Sequence, residues 1–176
     1  MAIAHLHTDD LERRYGPIHA VVIRHDCYDL QQPDKECIRE VKLIDDRGIV
    51  RTYAITFLDN NTNNNEFLAV DNEVRHGGMI GKTFRKYGYE IERRSIGEFT
   101  MAIPRFLKQE FRSRENDAVV RLNEFYARKN ESNPLRYGTI IEIISPDFVS
   151  PANVGVESAF CSWKDRIVRH FETAEA

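Results

Sequence analysis

Alternating apolar and polar positions along most of the chain predict β-strands. Six such runs occupy residues 18–28, 36–45, 49–59, 89–99, 118–129 and 135–145. Two of the gaps between them, DDRG at 45–48 and ESNP at 131–134, contain residues that hairpin turns favour. The strands on either side of each gap are therefore expected to pair with each other in antiparallel fashion.

A smaller part of the chain has helical signals. Thr8 is a suitable N-cap for a helix that Gly16 and Pro17 end, and Pro104 suits the first turn of a later helix. The predicted helices cover residues 9–15, a short segment within 77–88, 105–112 and about 156–172. The last of these is amphipathic, with apolar residues at helical spacing: Val156, Phe160, Trp163, Ile167 and Phe171. Together the elements predict one α+β domain over residues 1–176, with helices packed on a single, mostly antiparallel sheet of about six strands.

Composition narrows the classes of function. The 176 residues include 25 basic and 28 acidic side chains, a formal charge of −3, which argues against a nucleic-acid partner. No apolar run approaches the roughly 18 residues that a membrane span needs, and the N-terminus lacks the pattern of a secretory signal. A cytoplasmic protein without a membrane partner is therefore expected. Its three cysteines, Cys27, Cys37 and Cys161, lack CxxC spacing and are expected to be reduced thiols.

The sequence predicts neither a metal site nor a cofactor. His5, His7, His19 and His25 are not clustered with acidic residues or cysteines at ligand spacing, so we interpret them as ordinary strand and surface residues. No arrangement typical of a serine or cysteine nucleophile is present. The charged runs ERR and RSRE are interpreted as solvated faces.

One acidic residue stands in an otherwise apolar strand. Glu142 lies within TIIEIISP, residues 139–146, where isoleucines at 140, 141, 143 and 144 make both faces of an extended chain apolar. An ionised carboxylate in such a place costs several kcal/mol unless it is paired, hydrogen-bonded or protonated. Glu142 is therefore expected to face a polar partner.

A basic residue stands on the more apolar face of the first hairpin. Arg39 alternates with polar residues and shares its face with Cys37, Val41 and Leu43. If residues 46–48 form a three-residue loop with Gly48 left-handed, Asp45 faces Ile49 and the odd positions of both strands share a face. That face would then also hold Arg51, Tyr53, Ile55 and Phe57. A two-residue loop would instead place beside Arg39 the residues Val50, Thr52, Ala54 and Thr56.

An arginine on an apolar face requires an anion, and its planar guanidinium suits a carboxylate. Two anionic partners are possible for Arg39. One is Glu142, which would give a purely structural ion pair. The other is the carboxylate of a ligand, which would leave Glu142 for a different role in the same site.

Three segments, read in order, resemble the chorismate lyase family. They are CIREVKLIDDRGIVRTYA at 37–54, GGMIGKTF at 77–84 and NPLRYGTIIEIISP at 133–146. The resemblance implies an antiparallel sheet with a ligand pocket closed by helical segments. It also implies a cofactor-free elimination, in which chorismate loses pyruvate and its ring becomes aromatic as 4-hydroxybenzoate.

The resemblance also suggests roles for individual residues. Arg39 matches the arginine that holds the ring carboxylate, and Glu142 matches the acidic residue at the opposite, hydroxyl-bearing end. Further candidates for substrate binding are Arg51, Tyr53, Gly78, Met79, Ile80 and Gly81. The last four form either a tight loop or a helix start whose backbone amides face an anionic group. The family carries a second arginine where this chain has Ala54, and Arg51 would replace it only in a different hairpin register.

Two rival functions remain. The hairpin at 118–146 also resembles the UTRA ligand-sensing domains of GntR-type regulators, which bind small molecules without converting them. Only 35 residues precede Glu36, so a DNA-binding winged helix is not expected ahead of it. A non-catalytic interaction protein would instead expose apolar surface around Trp163, where core packing is the simpler interpretation. The expected ligand is a small anionic aromatic or enol-ether acid, and the sequence leaves monomer and homodimer open.

Overall fold

Six antiparallel strands form one sheet in the computed structural model, which describes residues 6–26, 37–59, 67–151 and 161–175. The strands are β1 Ile18–Asp26, β2 Cys37–Asp45, β3 Val50–Leu58, β4 Glu90–Ala102, β5 Asp117–Arg128 and β6 Leu135–Ile144. Their order across the sheet is β1-β2-β3-β6-β5-β4, and every neighbouring pair is antiparallel. The predicted α+β class and the six-stranded sheet are confirmed.

Helices cover both faces of this sheet. They are α1 His7–Tyr15, α2 Leu68–Arg75, α3 Ile80–Lys86, α4 Arg105–Phe111 and α5 Cys161–Glu175. The pocket face, which carries Arg39, Thr56 and Glu142, packs against α1, α2 and α3. The core face, which carries Ile55 and Ile141, packs against α4 and α5. No helix in the described part of the chain is long and apolar enough to cross a membrane.

Helix positions differ from the sequence prediction in two places. Thr8 lies inside the first turn of α1, which begins at His7 and ends before Gly16, where φ is +82°. The sequence analysis missed α2, although Val70 and Val74 are one helical turn apart and both are buried. Of the apolar residues predicted for the C-terminal helix, Val156 and Phe160 lie outside the described residues.

The first hairpin has the predicted loop but not the predicted faces. Gly48 is left-handed with φ of +72°, and the Asp45 amide donates to the Ile49 carbonyl at 3.1 Å, as a three-residue loop requires. Beyond the loop, however, Ile44 pairs with Val50 and Leu43 with Thr52, so Arg51 is an extra residue in a β-bulge. The bulge reverses the alternation of β3. Arg39 therefore pairs with Thr56 and shares its face with Ala54 and Thr56, as the alternative register predicted, and not with Tyr53, Ile55 and Phe57.

The C-terminal helix belongs to the core. Ile167 and Phe171 of α5 are buried in the same cluster as Leu107 and Phe111 of α4. Trp163 packs against this cluster, with its ring centroid 5.9 Å from that of Phe57. The apolar stripe of α5 is thus a core-packing surface, as the simpler interpretation held.

The cysteine prediction is wrong at one position. Cys37, the first residue of β2, is disulfide-bonded rather than a reduced thiol. Cys27 and the side chain of Cys161 lie outside the described residues. A disulfide is typical of oxidising surroundings, although it also occurs in some intracellular proteins.

Gly138 allows β6 to approach β3 closely. A Cβ atom at this position would overlap the carbonyl oxygen of Phe57 and lie 3.1 Å from the Cα atom of Leu58. Backbone atoms cannot rotate away as a flexible side chain can, so we expect Gly138→Ala to lower the free energy of unfolding by about 1–3 kcal/mol. Urea denaturation would measure this change. At Gly81 the overlapping atoms are side-chain carbons of Leu6, so Gly81→Ala should cost less; a larger loss at Gly81 would contradict the explanation.

Candidate functional site

A cavity lies between the pocket face of the sheet and the starts of α1 and α3. Its volume is about 70 Å³, and part of it is open to solvent. Its lining residues are Leu6, His7, Thr8, Ala20, Arg39, Val41, Leu43, Ala54, Thr56, Met79, Ile80, Gly81, Arg93, Phe125, Ile140 and Glu142. Most of the wall is apolar, so its few polar groups fix what can bind. The cavity contains both residues that sequence analysis identified as mismatched to their strands, Arg39 and Glu142.

Arg39 is buried, and no carboxylate in the described part of the chain forms an ion pair with it. Its side chain is 2% exposed, and Nη2 donates to the backbone carbonyls of Val74 at 3.3 Å and Gly78 at 3.0 Å. Its Nε has no hydrogen-bond partner. Burial lowers the pKa of Arg39, while the nearby Tyr137 and Asp71 act in the opposite direction. The guanidinium thus joins β2 to the end of α2 and to the segment that follows it, and leaves the Nε donor unused.

Glu142 is paired with a different arginine from the one expected. Its Oε2 accepts from Nη2 of Arg93, on β4, at 3.0 Å. The structural ion pair between Arg39 and Glu142 is therefore not formed. Glu142 on β6 is separated from Arg39 on β2 by the intervening strand β3. Arg39 pairs with Thr56 of β3, and Glu142 pairs with Ala54, two residues earlier in the same strand. Strand spacing and rise place the two Cα atoms about 12 Å apart.

Small and polar side chains form the floor between Arg39 and Glu142. Ala54 lies directly opposite Glu142, and Thr56 lies directly opposite Arg39. Both belong to β3 and line the cavity. The Thr56 hydroxyl is fully buried and has no hydrogen-bond partner.

The segment between α2 and α3 closes one side of the cavity. Met79, Ile80 and Gly81 line it, and the Gly78 carbonyl accepts the hydrogen bond from Arg39. A Cβ atom on Gly81 would lie 2.7 Å from Leu6, so the absence of a side chain lets α1 and α3 meet there. Four of the predicted site residues are thus at or beside the cavity.

The other two predicted binding residues point elsewhere. Arg51 donates to Oδ2 of the buried Asp45 at 2.9 and 2.7 Å and stacks 3.9 Å from the ring centroid of Tyr15. Tyr53 belongs to the core face, where its hydroxyl donates to Glu40. Burial and then the hydrogen bond to Glu40 raise the pKa of Tyr53. Neither side chain lines the cavity, because the β-bulge at Arg51 separates them from the face of Arg39.

Two residues that line the cavity were not expected there from the sequence. His7, expected to be an ordinary strand or surface residue, is buried at the start of α1 and hydrogen-bonded through Nε2 to the Thr52 hydroxyl at 2.7 Å. Burial lowers the pKa of His7. Arg93, assigned to a solvated charged face, instead lines the cavity and pairs with Glu142. Arg93 pairs across the strands with Phe125 and shares its face. That pairing is the feature from which its position in the cavity could have been predicted.

A polar outer cleft adjoins the cavity at Glu142. Three residues, His7, Arg93 and Glu142, line both spaces. The cleft has a volume of about 270 Å³ and is otherwise lined by Asp10, Arg121 and Asn123. It provides the solvent-facing side of the site.

His25, which pairs with Arg39 across β1 and β2, makes stability depend on pH. Burial lowers its pKa from the ordinary value of 6.5 to about 4, and both ring nitrogens lack hydrogen-bond partners. The unfolded chain therefore binds this proton more tightly, so stability present above pH 6.5 is lost as the pH falls toward 4. We expect His25→Gln to flatten the fall in urea midpoint between about pH 7 and about pH 4.5. An unchanged fall would contradict this assignment.

Nothing in the described residues suggests a metal centre, since no three or more histidine, cysteine, aspartate or glutamate side chains are grouped to hold an ion. The cavity has the buried guanidinium of Arg39 at one end and the carboxylate of Glu142, paired with Arg93, at the other. Comparison with known proteins adds no name to this description: no family model matches the chain, and no curated protein has a matching sequence.

Proposed function

We propose that the cavity binds a small anionic aromatic or enol-ether acid, and that the chain eliminates pyruvate from chorismate to give 4-hydroxybenzoate. One observation carries the proposal: the buried guanidinium of Arg39 faces an apolar-walled cavity without a carboxylate partner, with Glu142 at the other end. A carboxylate is the group that a guanidinium in such a place binds best. The resemblance to chorismate lyases supplies the substrate.

The reaction requires orientation more than added chemistry. The ether bond between the ring and the enolpyruvyl group breaks, the ring loses the hydrogen on its hydroxyl-bearing carbon, and the enolpyruvate takes up a proton to become pyruvate. Atoms balance without water or a cofactor. With the ring carboxylate at Arg39, the hydroxyl-bearing carbon would lie toward Glu142, which would contact the hydroxyl group. Holding that geometry in an enclosed site is how such a protein would accelerate the step.

Arg93 is the candidate for the second carboxylate of chorismate. Ala54 occupies the position where the family carries its second arginine, and the methyl side chain of Ala54 has no charge to offer. Arg93 approaches the same end of the cavity from β4, where it contacts Glu142 at 3.0 Å. A dianionic substrate could thus meet one arginine at each end.

A second function has an observation of its own. Glu142 is already paired with Arg93. The carboxylate at the end of the cavity that would face the substrate hydroxyl therefore has a partner before any substrate enters. This arrangement suits a site that only recognises its ligand, as in UTRA-type sensing domains. In that case the same cavity would bind an aromatic acid without converting it.

The experiment is an incubation of the purified protein with chorismate, following 4-hydroxybenzoate and pyruvate against a heat-inactivated control. Equal release of both products, abolished in Arg39→Ala, would support the elimination. No turnover, but thermal stabilisation by 4-hydroxybenzoate, would favour the sensing function. Neither effect would overturn both proposals.

A further inference from the structure

Thr56 has a buried hydroxyl group that the protein itself does not use. Its side chain is 0% exposed on β3, and Oγ1 has no hydrogen-bond partner. Burying a hydroxyl without a partner costs free energy, whereas valine would fill nearly the same space without that cost. The hydroxyls of two other buried threonines are paired, Thr52 with His7 at 2.7 Å and Thr139 with Arg136 at 2.6 Å.

The unpaired hydroxyl lies beside another unpaired donor. Thr56 is the cross-strand partner of Arg39, whose Nε is also buried and unpaired. Side chains of directly paired residues on one face have Cβ atoms only about 5 Å apart. Both residues line the cavity, whereas Ser145, whose hydroxyl is likewise unpaired, does not. Two free donors, one of them cationic, thus meet at one end of a mostly apolar space.

We propose that Thr56 is a ligand-binding residue, whose hydroxyl group together with Nε of Arg39 binds the two oxygens of a planar carboxylate. This inference rests on the proposed ligand class but not on turnover. A carboxylate has two acceptor oxygens, so each of the two donors can be satisfied.

The test is a titration of the intact protein with 4-hydroxybenzoate. Thr56→Val should bind the acid about tenfold or more weakly than wild type, because a hydrogen bond to a charged group is worth about that factor. Thr56→Ser, which keeps the hydroxyl, should bind the acid about as tightly as wild type.

Thr139→Val provides a matched control. Thr139 is also buried on the sheet but does not line the cavity, and its hydroxyl is already paired. We expect Thr139→Val to lower the urea midpoint and leave the affinity for 4-hydroxybenzoate unchanged. Thr56→Val should show the reverse, with an unchanged or raised midpoint and weakened acid binding, because no protein hydrogen bond is lost.

The outcomes separate this inference from the proposed function. Acid binding that is equal in wild type and Thr56→Val overturns the role of Thr56, even if chorismate is converted. Acid binding that depends on Thr56, without conversion of chorismate, supports the inference and overturns the elimination. No binding of 4-hydroxybenzoate to the wild-type protein overturns both.

Discussion

Replacing Glu142 with glutamine should lower the turnover of chorismate by about a hundredfold or more while the protein stays folded. Glutamine keeps the size of the side chain and one acceptor oxygen, so Arg93 retains a hydrogen bond in place of the ion pair at 3.0 Å. What is lost is the negative charge at the hydroxyl-bearing end of the proposed substrate. Steady-state release of 4-hydroxybenzoate and pyruvate would measure the effect, and circular dichroism would verify the fold.

Glu98 offers a control from the same row of the sheet. It pairs with Arg121, which is itself the cross-strand partner of Glu142, but Glu98 does not line the cavity. Glu98→Gln therefore removes a comparable ion pair next to the site and should leave turnover within about twofold of wild type, as an exposed pair contributes little. Equal losses in both variants would indicate a general electrostatic effect, and full activity of Glu142→Gln would remove Glu142 from the mechanism.

The largest expected loss of stability comes from Asp45→Asn. Asp45 is 2% exposed and accepts two hydrogen bonds from Arg51, at 2.9 and 2.7 Å, besides one each from the amides of Arg47 and Ile49. Burial acts to raise the pKa of Asp45, but the hydrogen bonds from Ile49 and Arg51 outweigh it, and the pKa lies below its ordinary value. Neutralising the carboxylate removes the closer ion pair of the buried Arg51 and leaves it the longer contact to Asp147 at 3.4 Å, so we expect a loss of about 3 kcal/mol in urea denaturation.

Asp46, the next residue in the turn, is the comparison for that prediction. It is exposed and pairs with the exposed His19 at 2.8 Å, so Asp46→Asn should change stability by no more than about 0.5 kcal/mol. A similar small change in Asp45→Asn would mean that solvent reaches Arg51 and that the pair does not hold the hairpin to α1. The size of the stability loss in Asp45→Asn should also depend on pH. Because the pKa of Asp45 is lowered in the folded state, the difference between wild type and Asp45→Asn should shrink as the pH falls into the acid range.

The sequence predicted the strands well because most are marked by local alternation and β6 by a run of isoleucines, and it predicted the loop after Asp45 because Gly48 suits a left-handed position. It did not predict the β-bulge at Arg51. A bulge one residue long leaves the composition of the strand unchanged, yet it moves every later side chain of β3 to the other face. The two predicted faces were therefore exchanged, and Thr56 replaced Tyr53 beside Arg39.

The candidate site was predictable only in part. Arg39 and Glu142 were identifiable because each is a charge among apolar neighbours, and the structure places both in one cavity. Arg93 was not, because its neighbours in sequence are charged and its role depends on β4 lying two strands from β6. His7 was missed for a similar reason: its burial comes from packing of α1 on the sheet, which no local pattern encodes.

Chemical-shift mapping with 4-hydroxybenzoate tests the central claim most directly, that the pocket face binds an aromatic carboxylate between Arg39 and Glu142. Titration of ¹⁵N-labelled protein should perturb the amides of Ala54, Thr56, Met79 and Gly81, which line the cavity, and leave the core-face residues of α4 and α5 unchanged. The same titration of Arg39→Ala should show these perturbations strongly reduced. Perturbations confined to the core face, or none at saturating ligand, would contradict the account.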